Sequence, residues 1–253
     1  MVDSDRHVDA DRGQGRPSSS YTGSASGFED LAVTLGELVR SLHEQGSVDD
    51  TLHSIVTAAV GTVPGAEYAA LSVIEARRTV QTRAGTADVV YRVDQVQYNT
   101  GEGPCLDALY QQHTVRLTDM AAETRWPRFT DQIAELGIAS MLSFQLYVEQ
   151  DNLGALNLYS ANTDAFTDES EQVGLLFATH AAVAMADAQK KQQLTRAMAV
   201  RDLIGQAKGI LMERHKLTGD QAFTLLARVS QNTNTKLSDV ARYLVETGEL
   251  GNP

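Results

Sequence analysis

The 253-residue chain is short of cysteine, proline, aromatic residues and positive charge. It holds one Cys, five Pro and one Trp, and aromatics make up 6% of it. Lone Cys105 excludes an internal disulfide framework and a thiolate metal cluster within one chain. No apolar run approaches the roughly 18 residues that a membrane-spanning helix needs. The N-terminus, Met1-Val2-Asp3-Ser4-Asp5-Arg6, has no apolar signal region behind it. The expectation is a cytoplasmic protein without a membrane partner. There is also no Gly-rich phosphate loop, histidine-rich metal spacing or triad arrangement. No catalytic residue and no metal site are therefore assigned, and the chain is not read as an enzyme. The hydrophobic share, 42%, is enough to build real cores, and the length fits one or two domains.

With 21 Lys plus Arg against 33 Asp plus Glu, the net charge is -12. Spread evenly, that charge would repel phosphates and argue against nucleic acid. It is not spread evenly. Residues 188–253 hold ten basic and six acidic residues, a local +4, which leaves -16 on the first 187. Such asymmetry suggests a different partner for each part, although helical bundles also carry a modest positive excess by chance.

Residues 1–27 are rich in Asp, Arg, Ser and Gly and hold too little apolar surface to offset ordering entropy, so they read as a disordered tail. Phe28, Leu31, Leu35, Leu38 and Leu42 recur at helical spacing. A second helix is predicted from about Val48 to Val63, ended by Pro64-Gly65. The texture then changes to strands. Tyr68–Ile74 is short and apolar, Thr79–Ala84 alternates, and Thr114–Leu117 is a further candidate. Ser140–Val148 and Gly154–Tyr159 read as a hairpin with Asp151-Asn152 at its turn. Strands joined largely by antiparallel steps, with helices before and after, give an α+β domain.

A long helix follows, with Thr167 as N-cap and Asp168 and Glu169 at the positive end of its dipole. Positions 173, 176, 180, 183, 187, 190, 194, 197, 201, 204, 208 and 211 form a seam that is apolar at its ends and polar in the middle. Two readings stay open. The seam joins two copies in a parallel pair whose polar middle sets register, or each end packs in its own domain around a solvated connector. The last residues read as three helices. The first ends near His215, the second is capped by Thr218 or Asp220, and the third carries Leu237, Val240, Ala241, Leu244 and Val245. About 55 residues is near the lower limit for independent folding.

The segment Arg201-Asp-Leu-Ile-Gly-Gln-Ala-Lys-Gly-Ile-Leu-Met-Glu-Arg214 is specific, as are Gln221–Ser230 and Lys236–Ala241. Together, over about residues 195–247, they resemble the ANTAR domain, a three-helix output module of bacterial antiterminators. Gly101-Glu-Gly-Pro-Cys-Leu-Asp107, Trp126-Pro-Arg-Phe129, Gly137–Ser143 and Gly154–Tyr159 resemble a GAF domain of the actinobacterial kind, covering about residues 28–187. GAF followed by ANTAR is a known pairing in regulators of such bacteria.

The resemblance implies a fold: a GAF-type antiparallel sheet with flanking helices (28–187) behind the tail (1–27). A long helix joins it to a coiled-coil linker and three-helix ANTAR bundle (188–253). It also implies an RNA-binding transcription antitermination regulator that acts as a homodimer through the long helix. The RNA would be leader transcripts with paired hairpins and six-base loops, and the GAF domain would be the sensor, with a small-molecule ligand a possibility and no cofactor named. The cations Arg201, Lys208, Arg214, Arg228, Lys236 and Arg242 suit phosphate contact. Ser230, Asn232 and Asn234 are equally base-edge contacts or simple caps. Phe223, between Ala222 and Leu225, reads first as core, with stacking on a base as the alternative.

Two other classes are weighed. One is a GAF-based protein-interaction or ligand-sensing scaffold with weak or no RNA binding. The other is a redox enzyme built on Cys105, although the free methionine sulfoxide reductases of the GAF class normally use more than one Cys, and a lone Cys is more often a small buried hydrophobe. A cyclic-nucleotide signature is not met. In Asn162–Glu169 a Thr replaces the required Lys, and one residue, not three, separates Phe166 from Asp168.

Overall fold

The computed structural model describes Gly36 and residues 47–75, 79–149 and 151–251. The tail, the turn at Arg77-Arg78 and the helix expected over 28–42 lie outside them, except that Gly36 is helical. The elements in order are α1 (Val48–Thr62), β1 (Tyr68–Ile74), β2 (Val80–Gly85), α2 (Asp88–Thr100), α3 (Pro104–Tyr110), β3 (Thr114–Leu117), α4 (Pro127–Ile133), β4 (Ser140–Val148), β5 (Asp151–Ser160), α5 (Asp168–His215), α6 (Gly219–Thr233) and α7 (Leu237–Thr247).

The strands form one antiparallel sheet in the order β2-β1-β5-β4-β3. Side chains alternate across it, and both faces are covered. Leu71, Leu142, Phe144, Leu156 and Leu158 point to one face and pack on Leu52, Ile55 and Ala59 of α1 and Phe177, Ala181 and Met185 of α5. Ala70, Met141 and Tyr159 point to the other and pack with Val90 and Val93 of α2 and Phe129 and Ile133 of α4. Burial on both sides is why β1 reads as a continuous apolar run instead of an alternation.

The hairpin differs from expectation. Val148 pairs with Asp151 and Tyr147 with Asn152, so Asp151-Asn152 begin β5. Glu149 sits at φ 55°, the left-handed region that tight hairpin turns require. The polar pair in the sequence marks the end of the turn, not its centre.

Helix α5 runs 48 residues, about 72 Å at 1.5 Å per residue. Thr167 caps it in a capping box with Ser170. Its first part lies so close to the sheet that a Cβ on Gly174 would sit 2.4 Å from the Phe144 ring. All ten residues from Gln193 to Asp202 are exposed. Its last turns then form the C-terminal core, Ala207 and Leu211 meeting Ala222 and Leu226 of α6 and Val240, Ala241 and Leu244 of α7. The two cores are thus strung on one helix.

Candidate nucleic-acid interface and a buried polar network

The C-terminal helices place the expected cations by amphipathic logic. Buried Ala222 and Leu226 fix the inner edge of α6, which turns Arg228 outward. Arg201 is exposed and Lys208 half-buried on α5. The ion pairs of this half are Lys216–Glu213 and Arg242–Asp239. Among the described residues, Arg201, Lys208, Arg228 and Lys236 therefore have no carboxylate partner. Arg201 and Lys208 line one groove with Phe223, and Arg228 lines another with Asp220 and Thr224.

Other expected residues have structural duties. The guanidinium of Arg214 donates to the carbonyl of Gly248, beyond the end of α7. Ser230 donates its hydroxyl to the carbonyl of Thr235 at 2.7 Å. Asn234 takes the left-handed C-cap of α6, φ 52°. Arg242 is held 3.6 Å from Asp239, and Lys236 stands exposed before α7. Phe223 does not join the core: its side chain is 44% exposed. Its Cα lies about 100° round the helix from Ala222, far enough to leave the core face.

The N-terminal domain contains a buried polar cluster beyond the expected site residues. Asp94 on α2 is fully buried. Its Oδ1 accepts from the Tyr159 hydroxyl at 2.5 Å and Gln97 Nε2 at 3.0 Å. Its Oδ2 accepts from the Thr82 hydroxyl at 2.7 Å and from Ser72 at 3.5 Å. Tyr98 bridges Ser72 and Thr82. Gln97 Oε1 then accepts from the backbone N–H of Cys105, which locks the start of α3 to α2. Gly103 makes this possible. It sits at φ 137°, and a Cβ there would be 2.4 Å from Gln97 Oε1. Burial raises the Asp94 carboxyl to about 6, partly offset by its four donors. Beside it, across β5 and β4, Asn157 Oδ1 and Ser143 Oγ are buried without a partner.

The same burial bears on the redox reading. Cys105 is fully enclosed, and desolvation followed by the charge of Asp94 pushes its thiol up to about 12. A reactive cysteine needs a lowered value and access. The Cys105 thiol donates to Ser72 Oγ at 3.4 Å. Cys105 is a packed residue beside Leu109 and Ala155. An acid on the apolar face of α2, in step with Val90, Val93 and Gln97, was the signal that could have located the network.

A family model of the GAF domain matches residues 45–186, and one of the ANTAR domain matches residues 192–245. Both are regulatory domains, a sensor and an output module. No curated protein matches the chain. Among solved structures it is similar to the GAF domain of a phosphoenolpyruvate-protein phosphotransferase from Coxiella burnetii, at 16% identity and TM-score 0.52, over 65% of this chain and 98% of that one. It is also similar to the photosensory core module of the Stigmatella aurantiaca phytochrome, at 11% identity and TM-score 0.57, over 88% of this chain and 47% of that one. A bacteriophytochrome from R. palustris gives 10% identity and TM-score 0.53, over 83% and 48%. The chain thus spans about half the length of each phytochrome. At these identities the likeness is one of fold. No helix among the described residues is long and apolar enough to cross a membrane.

Proposed function

Because the chain belongs to the GAF-domain family and carries an ANTAR domain at the far end of the same helix, we propose that it is an RNA-binding transcription antitermination regulator. Its output bundle binds paired hairpin loops in nascent RNA and is governed by the sensor domain. The observation that carries this reading is the charge at the C-terminal end, where Arg201, Lys208, Arg228 and Lys236 lack ion-pair partners among the described residues of a chain that is acidic elsewhere. Cations without internal partners are what phosphate binding requires, since each contact releases a counterion.

The protein acts as a parallel dimer. Leu194, Met198 and Val200 are 63%, 56% and 38% exposed in a stretch that touches neither core. A solvated helix of that length is marginal alone in water, and a second copy along the face of Leu176, Val183, Leu194 and Met198 would cover it. Change in the sensor domain passes to the RNA module as a change in the geometry of this pair. Insertions between Gln189 and Gln192 then alter regulation while the RNA module keeps its affinity, and unaltered regulation would count against this route.

Sequencing RNA cross-linked to the protein in cells tests the function. The expected result is a set of leaders with two adjacent hairpins, lost in the double variant Lys208→Glu, Arg228→Glu. The same RNA recovered with that variant would overturn the site assignment, and recovery of no RNA would overturn the function.

A further inference from the structure

Phe223 has a place in the fold that phosphate binding alone does not explain. It is one of the exposed large apolar side chains of the RNA module, and it stands on the rim of the groove between α5 and α6. The groove is open and measures about 820 Å³, within the roughly 300–1,000 Å³ of ordinary ligand sites. Its α5 wall is open at one glycine. A Cβ built on Gly205 would meet nothing within 4 Å, and the same holds one turn on at Gly209. Arg201 and Lys208 line the groove, and neither has a carboxylate partner among the described residues. Asp202 and Gln206 line it too, which adds an acceptor and an amide.

We propose that this groove holds one unpaired base of the RNA, stacked on Phe223, with the flanking phosphates on Arg201 and Lys208. The inference rests on the RNA-binding reading and adds to it the residue that distinguishes a loop from a duplex. A flat aromatic face beside two cations suits a nucleotide: the ring takes the base, and the cations take the backbone. A wall open at a glycine admits a planar group edge-on. Asp202 accepts from the exocyclic amine of the base, and Gln206 reads its edge. A duplex offers the phosphates but keeps its bases stacked, so it uses the cations and leaves Phe223 idle. A second copy of this chain is the other occupant that an exposed phenylalanine can serve. Two cations in one groove, neither with a carboxylate partner among the described residues, favour RNA.

The test compares two RNAs of equal length on the full chain. One is a pool of twin hairpins with randomised six-base loops, and the other is a continuous duplex. Phe223→Leu keeps the apolar volume and removes the aromatic face. We expect it to weaken binding to the looped pool about tenfold and leave duplex binding unchanged. Phe223→Tyr should restore loop binding, whereas Lys208→Glu should weaken both RNAs. Equal loss on both RNAs, or none on either, would overturn the stacking assignment while leaving the RNA reading in place. Failure of the unaltered chain to prefer the looped pool over the duplex would overturn both. A shift of the monomer–dimer equilibrium by Phe223→Leu, seen by sedimentation at unchanged RNA affinity, would assign the groove to the second copy and overturn the proposal. Because Phe223 is not a core residue, its exchange for Leu should leave the thermal transition in place.

Discussion

Asp94 sets the acid response of the sensor domain. Its carboxyl titrates at about 6 in the folded chain, above the ordinary 3.8, because burial disfavours its charge. The folded state holds this proton more tightly than the unfolded state does. Its contribution is therefore fullest below about pH 4 and declines between about pH 4 and 6, by on the order of 3 kcal/mol. Asp94→Asn removes that titration. In urea unfolding, the variant should gain on the unaltered protein by about that amount between pH 4 and 7; parallel pH profiles would contradict the assignment. Cys105 gives a second test. A thiol near 12 in the fold and near 9 in an open chain has about a thousandfold less thiolate at pH 7. Iodoacetamide should label it only on unfolding, and fast labelling of the native protein would revive redox chemistry. At this scale the sequence was partly legible. Cys105 was rightly suspected of being a packed hydrophobe. The buried network was not legible, because Asp94 and Gln97 are residue types that usually mark a solvated face. Ser230 and Asn234 stayed ambiguous for the converse reason, since the same groups that read bases also close turns.

Among the elements, α5 is the most informative. Its start, cap and end near His215 were all readable, since the capping residues are local and the chain holds no proline between Thr167 and Pro253. The seam was less simple than its spacing. A 3.5-residue repeat drifts about 20° per heptad on a straight helix, or about 110° between Val173 and Leu211. Leu176 and Val183 accordingly face outward, while Leu211 is buried in the C-terminal core. The outward stripe passes instead through Leu194 and Met198, both exposed. Helices α2, α3 and α4 were missed for different reasons. The buried face of α2 mixes Val90 and Val93 with Asp94, Gln97 and Thr100, which dilutes its apolar period. The other two are 7 residues each, too short to show one. Close packing of α5 on the sheet yields a prediction. Gly174→Ala places a methyl 2.4 Å from the buried Phe144 ring, and overpacking of this kind costs about 1–3 kcal/mol. An unchanged denaturation midpoint would mean that α5 does not seat on β4 as described.

For the molecule as a whole, the acidic total hides a division of labour. The -16 of the first 187 residues lies on the sensor, its tail and the start of the connector, and the +4 lies on residues 188–253. On the proposed reading, this arrangement would repel RNA from the acidic part and direct it to the bundle. The exposed middle of α5 then predicts the assembly. Leu194→Glu with Met198→Glu puts like charges along the proposed seam and should give a monomer by sedimentation; a dimer that survives the pair would place the interface elsewhere. The central claim is that this acidic chain binds RNA through cations at one end, and the salt dependence of binding tests it most directly. The affinity of the full chain for a twin-hairpin RNA, measured from 50 to 200 mM salt, should fall along a log–log line. Four phosphate contacts per protomer, eight in the dimer, give a slope of about -6, and Lys208→Glu, which alters both protomers, should make it shallower by about 1.5. A flat line, or the same slope in the variant, would contradict the account.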